Sequence, residues 1–231
     1  MTLGRATDPQ RATWMAIADD WLEAYHQKEV RADMIIAVAK ERIVNASDHD
    51  WCFLQEMLGE ERRKWFVGAF FQSHPVPKAL GHGMLQAGVR EQDPSFNRWF
   101  IEPCVRSFGA KYVLEQLLEY LHKGDNAEKA GAANASYWVH ENSPEKEVAS
   151  VRDAIQEAAL REFIANDHLD VRCCLISKLD LQPADVDEQR RSLIEQVLAI
   201  ARNHPDEYIR HRVAVQLGAN VPLMPLQRRG E

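Results

Sequence analysis

One short pattern returns along most of this 231-residue chain: an acidic residue, a basic residue about four positions later, and then apolar residues at helical spacing. Its copies start with Glu60 and Lys64, with Asp125 and Lys129, and with Asp206 and Arg210, and looser copies join Asp93 to Arg98 and Asp167 to Arg172. A helix-sized unit cannot bury its own apolar face, so each copy must pack against the next. The pattern therefore predicts stacked helical repeats.

The composition fits a folded chain with an acidic surface. Hydrophobic residues make up 45% of the sequence, the formal net charge is -7 and the sequence pI is near 5.7. Affinity for nucleic acid comes largely from clustered Lys and Arg, so this balance disfavours a nucleic-acid partner. No apolar run reaches the length of a signal peptide or of a membrane span, which predicts a cytoplasmic protein with no membrane partner.

Apolar residues at helical spacing predict an all-α chain. Helices over 9–25 and 30–44 form an N-terminal hairpin in a first segment of residues 1–47. Five further pairs fill a repeat domain of residues 48–218: 51–58 with 60–71, 78–90 with 94–108, 111–122 with 126–140, 148–164 with 169–179, and 188–201 with 207–217. Prolines and a polar end predict an extended tail over 219–231.

Two kinds of local motif carry a family resemblance. Lys64-Trp65-Phe66-Val67 matches Arg98-Trp99-Phe100-Ile101, 34 positions later, and two later segments start with an Asp and carry Val-Arg or Ile-Arg, at 170–172 and 206–210. In these features the chain resembles the HEAT-like, armadillo-type helical repeats. The resemblance implies an α-α superhelix of about five to six antiparallel helical hairpins, with the second helices lining a concave surface.

The repeats are irregularly spaced. Basic residues at 64, 98, 129, 172 and 210 lie 34, 31, 43 and 38 positions apart, and several intervals are shorter than the consensus of about 40 to 47 residues. Pro103 falls inside a predicted second helix, where it should kink or split the helix. Small residues at 130–133 would let two helices approach closely. Either the repeats are irregular, or the third pair has other bounds.

The acidic and basic residues of the pattern have two interpretations. An acid at a helix start can cap free N–H groups while the base ties neighbouring units together, and this is the favoured interpretation. Alternatively, the bases form a ligand-facing row on the second helices and meet an acidic partner. The four bases concerned are Arg98, Lys129, Arg172 and Arg210.

The aromatic residues Trp65, Trp99, Tyr137 and Trp138 are either core residues or part of a recognition surface, and helical periodicity favours the core. Trp138 stands out because it lies beside Tyr137 and His140, after a run of small residues. Aromatic residues and Arg are common anchors of protein interfaces. This region is therefore a candidate contact surface.

Motifs for catalysis, metals and cofactors fail on spacing. His49 with Cys52, and His168 with Asp170 and Cys173, do not complete a four-ligand zinc pattern. The glycines at 81, 83 and 88 lack the third glycine of a dinucleotide-binding loop and a preceding strand, and instead indicate close approach in a helix. We therefore predict no catalytic residue, no metal and no cofactor.

Taken together, the sequence predicts a non-enzymatic module that binds a protein or peptide in a groove. The candidate binding residues are Arg98, Trp99, Lys129, Tyr137, Trp138, His140, Arg172 and Arg210. The alternative, also by resemblance, is a HEAT-like DNA glycosylase or another nucleic-acid-binding enzyme on the same fold. The acidic charge disfavours that alternative.

Overall fold

Twelve α-helices and one short 3₁₀ helix follow one another in the computed structural model, which describes residues 9–139, 145–182 and 187–218. No strand occurs within these ranges, which confirms the predicted all-α class. The helices are α1 (Pro9–His26), α2 (Arg31–Ile43), α3 (Asp48–Leu58), α4 (Lys64–Phe70), α5 (Lys78–Val89), α6 (Arg98–Phe108), α7 (Ala110–Lys123), α8 (Asn126–Ala135), α9 (Glu145–Ala165), α10 (Leu169–Ile176), α11 (Glu188–Arg202) and α12 (Glu207–Gln216). The 3₁₀ helix Ser136–Val139 extends α8.

The ends of the chain and two internal segments lie outside this description. The C-terminal tail predicted for 219–231 therefore falls outside the described residues, as do residues 1–8, 140–144 and 183–186. None of the described helices has the length and apolar content that a membrane span requires.

Acidic side chains start several of the helices, as the sequence predicts. Asp125 accepts a hydrogen bond from the backbone N–H of Glu128 at the start of α8, and Asp206 accepts from those of Tyr208 and Ile209 at the start of α12. Each bond satisfies an amide that has no partner inside the helix. The capping interpretation is confirmed at these two acids.

The prediction is wrong at Glu60. Helix α4 begins at Lys64, and its N-cap residue Arg63 makes no side-chain capping bond. The Glu60 carboxylate instead accepts from Arg63 at 2.7 Å, and Arg63 also binds Asp19 on α1 at 2.8 Å. Arg63 thus links the turn before α4 to the first hairpin. Because residues 60–63 form this turn, α4 is shorter than the helix predicted over 60–71.

Consecutive helices pair as six hairpins, from α1 with α2 to α11 with α12. Between hairpins, first helices pack on first helices and second on second at most junctions, as in α7 on α9 and α8 on α10. The junction of the third and fourth hairpins differs, because α5 packs on α8 and α6 packs on α7. The α6 and α7 part of this crossed contact lies between residues 98 and 129, the shortest repeat interval in the sequence.

Small residues make the crossed contact possible. A Cβ atom at Gly131 on α8 would overlap the backbone carbonyl of Val89 at the end of α5. The expectation of close approach at 130–133 is confirmed at this residue. Helix α6 also comes close to α5, because a Cβ at Gly81 would lie 2.9 Å from the ring of Phe108 and one at Gly88 would lie 2.8 Å from Ile101.

Helix α6 continues through Pro103 without a break, so the predicted split is wrong. Proline has no N–H and leaves the carbonyl of the residue four positions earlier without its helical donor. That residue is Trp99, and its carbonyl accepts a hydrogen bond from Nε2 of Gln72 at 2.9 Å. The bond joins the end of α4 to α6 and replaces the one that proline removes.

Candidate functional site

Three cationic side chains flank two adjacent aromatic rings across a surface formed by α6, the 3₁₀ helix, the end of α10 and α12. In order they are Arg98, Trp138, Tyr137, Lys178 and Arg212. We call these five residues the cation–aromatic row. They come from second helices of four successive hairpins or from the residues directly after them.

One end of the row is formed by Arg98 and Trp138. The guanidinium carbon of Arg98, at the start of α6, lies 5.8 Å from the centre of the Trp138 ring, within the range of a cation–π contact. The indole Nε1 of Trp138 donates to the backbone carbonyl of Pro94 at 3.0 Å. This bond fixes the half-buried ring beside the loop that precedes α6.

The middle of the row contains the most exposed ring. Tyr137 and Trp138 meet edge to face at 4.9 Å, and Tyr137 is 52% exposed. The Nζ atom of Lys178 lies 4.8 Å from the centre of the Tyr137 ring. The 3₁₀ helix places the two rings at adjacent positions, so that each meets a cation from a different hairpin.

The other end of the row brings two cations together. Burial lowers the pKa of Lys178, and the nearby charge of Arg212 lowers it further. Arg212 also donates to the carbonyl of Ser177 at 3.5 Å. In the described part of the chain, no carboxylate lies within ion-pair distance of Arg98, Lys178 or Arg212. Three positive charges of the row therefore have no negative partner within that part of the chain.

A second aromatic cluster adjoins the row at α6. Trp99 meets Trp65 edge to face at 6.1 Å and Tyr25 at 5.9 Å, and Trp65 meets Phe96 at 5.6 Å. Tyr25 and Phe96 are 43% and 45% exposed, whereas the two indoles are half-buried. Of the four aromatic residues predicted as core or recognition surface, Trp65, Trp99 and Trp138 are partly buried against the core, and Tyr137 is exposed.

Three of the predicted binding residues are engaged elsewhere. Lys129 donates to Glu162 on α9 at 2.7 Å. Arg172 donates to the carbonyl of Phe163 at 3.2 Å, and Arg210 donates to the carbonyls of His204 and Pro205. The Lys129 contact joins neighbouring hairpins, as predicted for these bases, whereas Arg172 and Arg210 bind carbonyls of their own hairpins. Arg98, Tyr137 and Trp138 belong to the row, Trp99 belongs to the adjoining cluster, and His140 lies outside the described residues.

The sequence interpretation missed Lys178 and Arg212. Neither belongs to the acid–base pattern, and nothing in the sequence distinguishes them among 28 Lys and Arg residues. The relevant signal is three-dimensional, because both side chains lie where α10 ends against α12.

Charge differs between the two sets of helices. The six second helices contain ten Lys and Arg but only six Asp and Glu, whereas the six first helices contain ten Lys and Arg and fifteen Asp and Glu. The first helices therefore carry an acidic excess of five charges and the second helices a basic excess of four. The row belongs to the set with the basic excess.

Metal ligands and cysteine thiols are the remaining groups with possible chemical roles. Within the ranges that the structure describes, no group of three or more His, Cys, Asp or Glu side chains could hold a metal ion. All four cysteines are free thiols, and burial raises the pKa of Cys104 to about 12, so this thiol stays protonated at neutral pH.

The chain matches no protein-family model, no curated protein and no solved structure. The role of the cation–aromatic row must therefore be argued from its own residues.

Proposed function

We propose that this protein is a non-enzymatic interaction module, an α-α superhelix of the HEAT-like kind, which binds an acidic protein or peptide segment across the cation–aromatic row. The observation that carries the proposal is one surface on which two adjacent aromatic rings lie between cations, three in all, that have no carboxylate partner among the described residues. Arg and aromatic side chains are the usual energetic anchors of protein interfaces.

Two observations support the superhelical arrangement. Extensive helix contacts join hairpins that are neighbours in sequence, as expected when each unit shelters the apolar face of the next. In addition, one contact recurs at the same sequence separation: Arg106 donates to the carbonyl of Phe71, and Arg212 donates to that of Ser177, in both cases across 35 residues. A side chain of one second helix thus binds the end of the preceding one.

The charge of the row indicates the chemistry of the partner. Lys178 and Arg212 are already partly buried, so a carboxylate placed there would gain more than it would on an open surface, and Arg98 adds an exposed positive charge beside Trp138. Tyr137 offers a ring that is half exposed. A segment rich in Asp or Glu, with an aromatic or aliphatic side chain, complements both features.

The proposal is tested with a fluorescently labelled random copolymer of Glu and Tyr as the probe, using fluorescence anisotropy at several salt concentrations. Lys178→Glu is expected to weaken binding about fivefold or more, because it replaces an attraction with a repulsion. Lys111→Glu is the matched control, since Lys111 lies exposed on the first helix α7, pairs with Glu115 and is not one of the five residues of the row. It is expected to leave binding of the copolymer unchanged.

Nucleic acid is the competing partner class and forms the second arm of this experiment. A labelled 20-base-pair DNA duplex is expected to bind more weakly than the copolymer. Tighter binding of the duplex, with a steep loss of affinity as salt rises, would favour the nucleic-acid alternative. Absence of copolymer binding, or equal loss in the Lys111 and Lys178 variants, would overturn the assignment of the row.

A further inference from the structure

An apolar stripe runs along the outer face of α2. Val30, Met34 and Val38 are 79%, 64% and 60% exposed and recur every four residues. The opposite face of α2 packs into the protein through the buried residues Ala32 and Ala39. Exposed apolar side chains are normal singly, but a contiguous stripe on one helix is typical of a contact surface.

The residues at the centre of this face follow coiled-coil spacing. Val30, Met34, Ala37, Glu41 and Val44 lie four, three, four and three residues apart, and all five are exposed. At about 100° per residue these positions form one line along the helix. A second helix of similar kind can therefore pack lengthwise against α2.

We propose that the outer face of α2 binds the same face of a second copy of this chain, with the two α2 helices antiparallel. A contact that uses the same patch on both subunits is self-complementary about a two-fold axis. In the antiparallel register, Met34 of each copy packs against the small Ala37 of the other. Large and small side chains alternate across the axis, which allows close packing.

The charged residues beside this line favour the antiparallel arrangement over a parallel one. Asp33 and Lys40 flank this line on one side, and neither forms an ion pair in the described structure. With Met34 opposite Ala37, the antiparallel arrangement places Asp33 of each copy opposite Lys40 of the other, which gives two symmetric ion pairs. A parallel pair would instead place Asp33 against the opposite flank of the partner helix, which carries Val38, and the two ion pairs would be lost.

The small area of the contact limits the affinity of the dimer. Helix α2 has 13 residues, so it is about 20 Å long. One such helix from each copy gives an interface at the small end of specific contacts. The dimer is therefore expected to form at about 10 to 100 µM and to dissociate on dilution.

Sedimentation equilibrium of the full chain tests the proposal, over protein concentrations from about 5 to 200 µM. The wild type is expected to shift from monomer to dimer across this range. Met34→Asp should remain monomeric, because it replaces the large apolar side chain at the centre of the contact with a charged one in each copy. Val215→Asp, the same kind of change at an exposed valine on α12, should dimerise like the wild type.

A charge exchange tests the register separately from the apolar contact. Asp33→Lys and Lys40→Asp should each weaken the dimer about tenfold, and the double variant should recover wild-type association. Circular dichroism confirms that each variant is folded. A wild type that stays monomeric, a dimer broken by Val215→Asp, or a double variant that fails to recover would overturn the proposal.

Discussion

Trp14 on α1 donates a hydrogen bond from its indole Nε1 to Oδ1 of Asp50 on α3 at 2.6 Å, across 36 residues of sequence. The other oxygen of Asp50 accepts from the backbone N–H and the hydroxyl of Ser47 at 2.8 and 2.7 Å. The guanidinium of Arg42 on α2 lies 3.5 Å from the carboxylate and covers the Trp14 ring. One buried carboxylate thus joins the first three helices.

Asp50→Asn is expected to lower the free energy of unfolding by about 3 kcal/mol. The amide keeps an acceptor for Trp14, but its NH₂ group faces the donors of Ser47, and the charge of Arg42 loses its partner. Urea denaturation followed by circular dichroism measures the change. Asp48→Asn is the control, because Asp48 is exposed on the same helix turn. Equal losses in the two variants would mean that the buried network contributes nothing.

Lowering the pH should remove the stabilisation that the ionised Asp50 carboxylate gives to the fold. Burial alone would raise the pKa of Asp50, but hydrogen bonds from Ser47 and Trp14 and the charge of Arg42 outweigh burial and hold the pKa below its ordinary value of 3.8. A carboxylate with a lowered folded pKa stabilises the fold above its ordinary pKa, and the effect is lost as the pH falls through the lowered value.

The difference in unfolding free energy between the wild type and Asp50→Asn should therefore stay constant from pH 7 to about 5 and shrink below about pH 4. Urea titrations of both proteins at about pH 7, 5, 4 and 3 measure it. Because the other carboxylates are common to both proteins, the comparison isolates Asp50. A difference that grows on acidification would contradict the assigned direction of the pKa shift.

Most helices could be predicted from the sequence because their signals are local. Apolar spacing fixed the hairpins from α5 to α12 to within a few residues, and Asp125 and Asp206 cap the helices expected of them. The failures at Glu60 and Pro103 have tertiary causes. Glu60 accepts a hydrogen bond from Arg63 in the turn before α4 and does not cap the helix. Gln72 donates to the carbonyl of Trp99 in place of the N–H that Pro103 lacks.

The candidate site was less predictable because its residues are distinguished by their neighbours. Arg98 and Lys129 occupy the same place in the repeated pattern, yet Lys129 meets Glu162 whereas Arg98 lies over Trp138. Nothing local separates these outcomes. Lys178 joins the row only because the end of α10 lies beside the 3₁₀ helix, which is a property of hairpin packing.

The pair of Lys129 and Glu162 should stabilise the contact between α8 and α9. Their side chains are 18% and 15% exposed, and their charged atoms are 2.7 Å apart. A double-mutant cycle with Lys129→Met and Glu162→Gln is expected to give a coupling energy of about 1 to 2 kcal/mol by urea denaturation. Zero coupling would contradict the role of Lys129 as a tie between hairpins.

The control for this cycle is the exposed pair Lys123 and Glu119 on α7, whose side chains are 77% and 57% exposed. Water and salt screen such a pair, so Lys123→Met with Glu119→Gln should show no measurable coupling. Added salt should leave the coupling of Lys129 with Glu162 largely unchanged, because these charges are shielded from solvent.

Gly131→Ala should lower stability by about 3 kcal/mol, because the new methyl group would overlap the backbone carbonyl of Val89, which cannot rotate away. Thermal unfolding measures the loss. Gly83→Ala is the matched control on α5, where the obstructing atoms belong to the mobile end of the Gln55 side chain. That variant should change stability little, since alanine also favours the helix by about 1 kcal/mol. Similar melting temperatures for the two variants would contradict the close approach of α8 to α5.

Substitutions of Tyr137 and Trp138 should affect different properties, the first mainly copolymer binding and the second mainly the stability of the fold. Tyr137 is 52% exposed, so Tyr137→Ala is expected to weaken binding of the Glu and Tyr copolymer several-fold with little change in melting temperature. Trp138→Phe removes the hydrogen bond to Pro94 and should cost about 1 kcal/mol of stability. Tyr112→Ala, at an exposed tyrosine on α7, is the control for both measurements. If Tyr137→Ala lowers the melting temperature as much as Trp138→Phe does while binding is unchanged, the exposed ring has a structural role and the row is not a recognition surface.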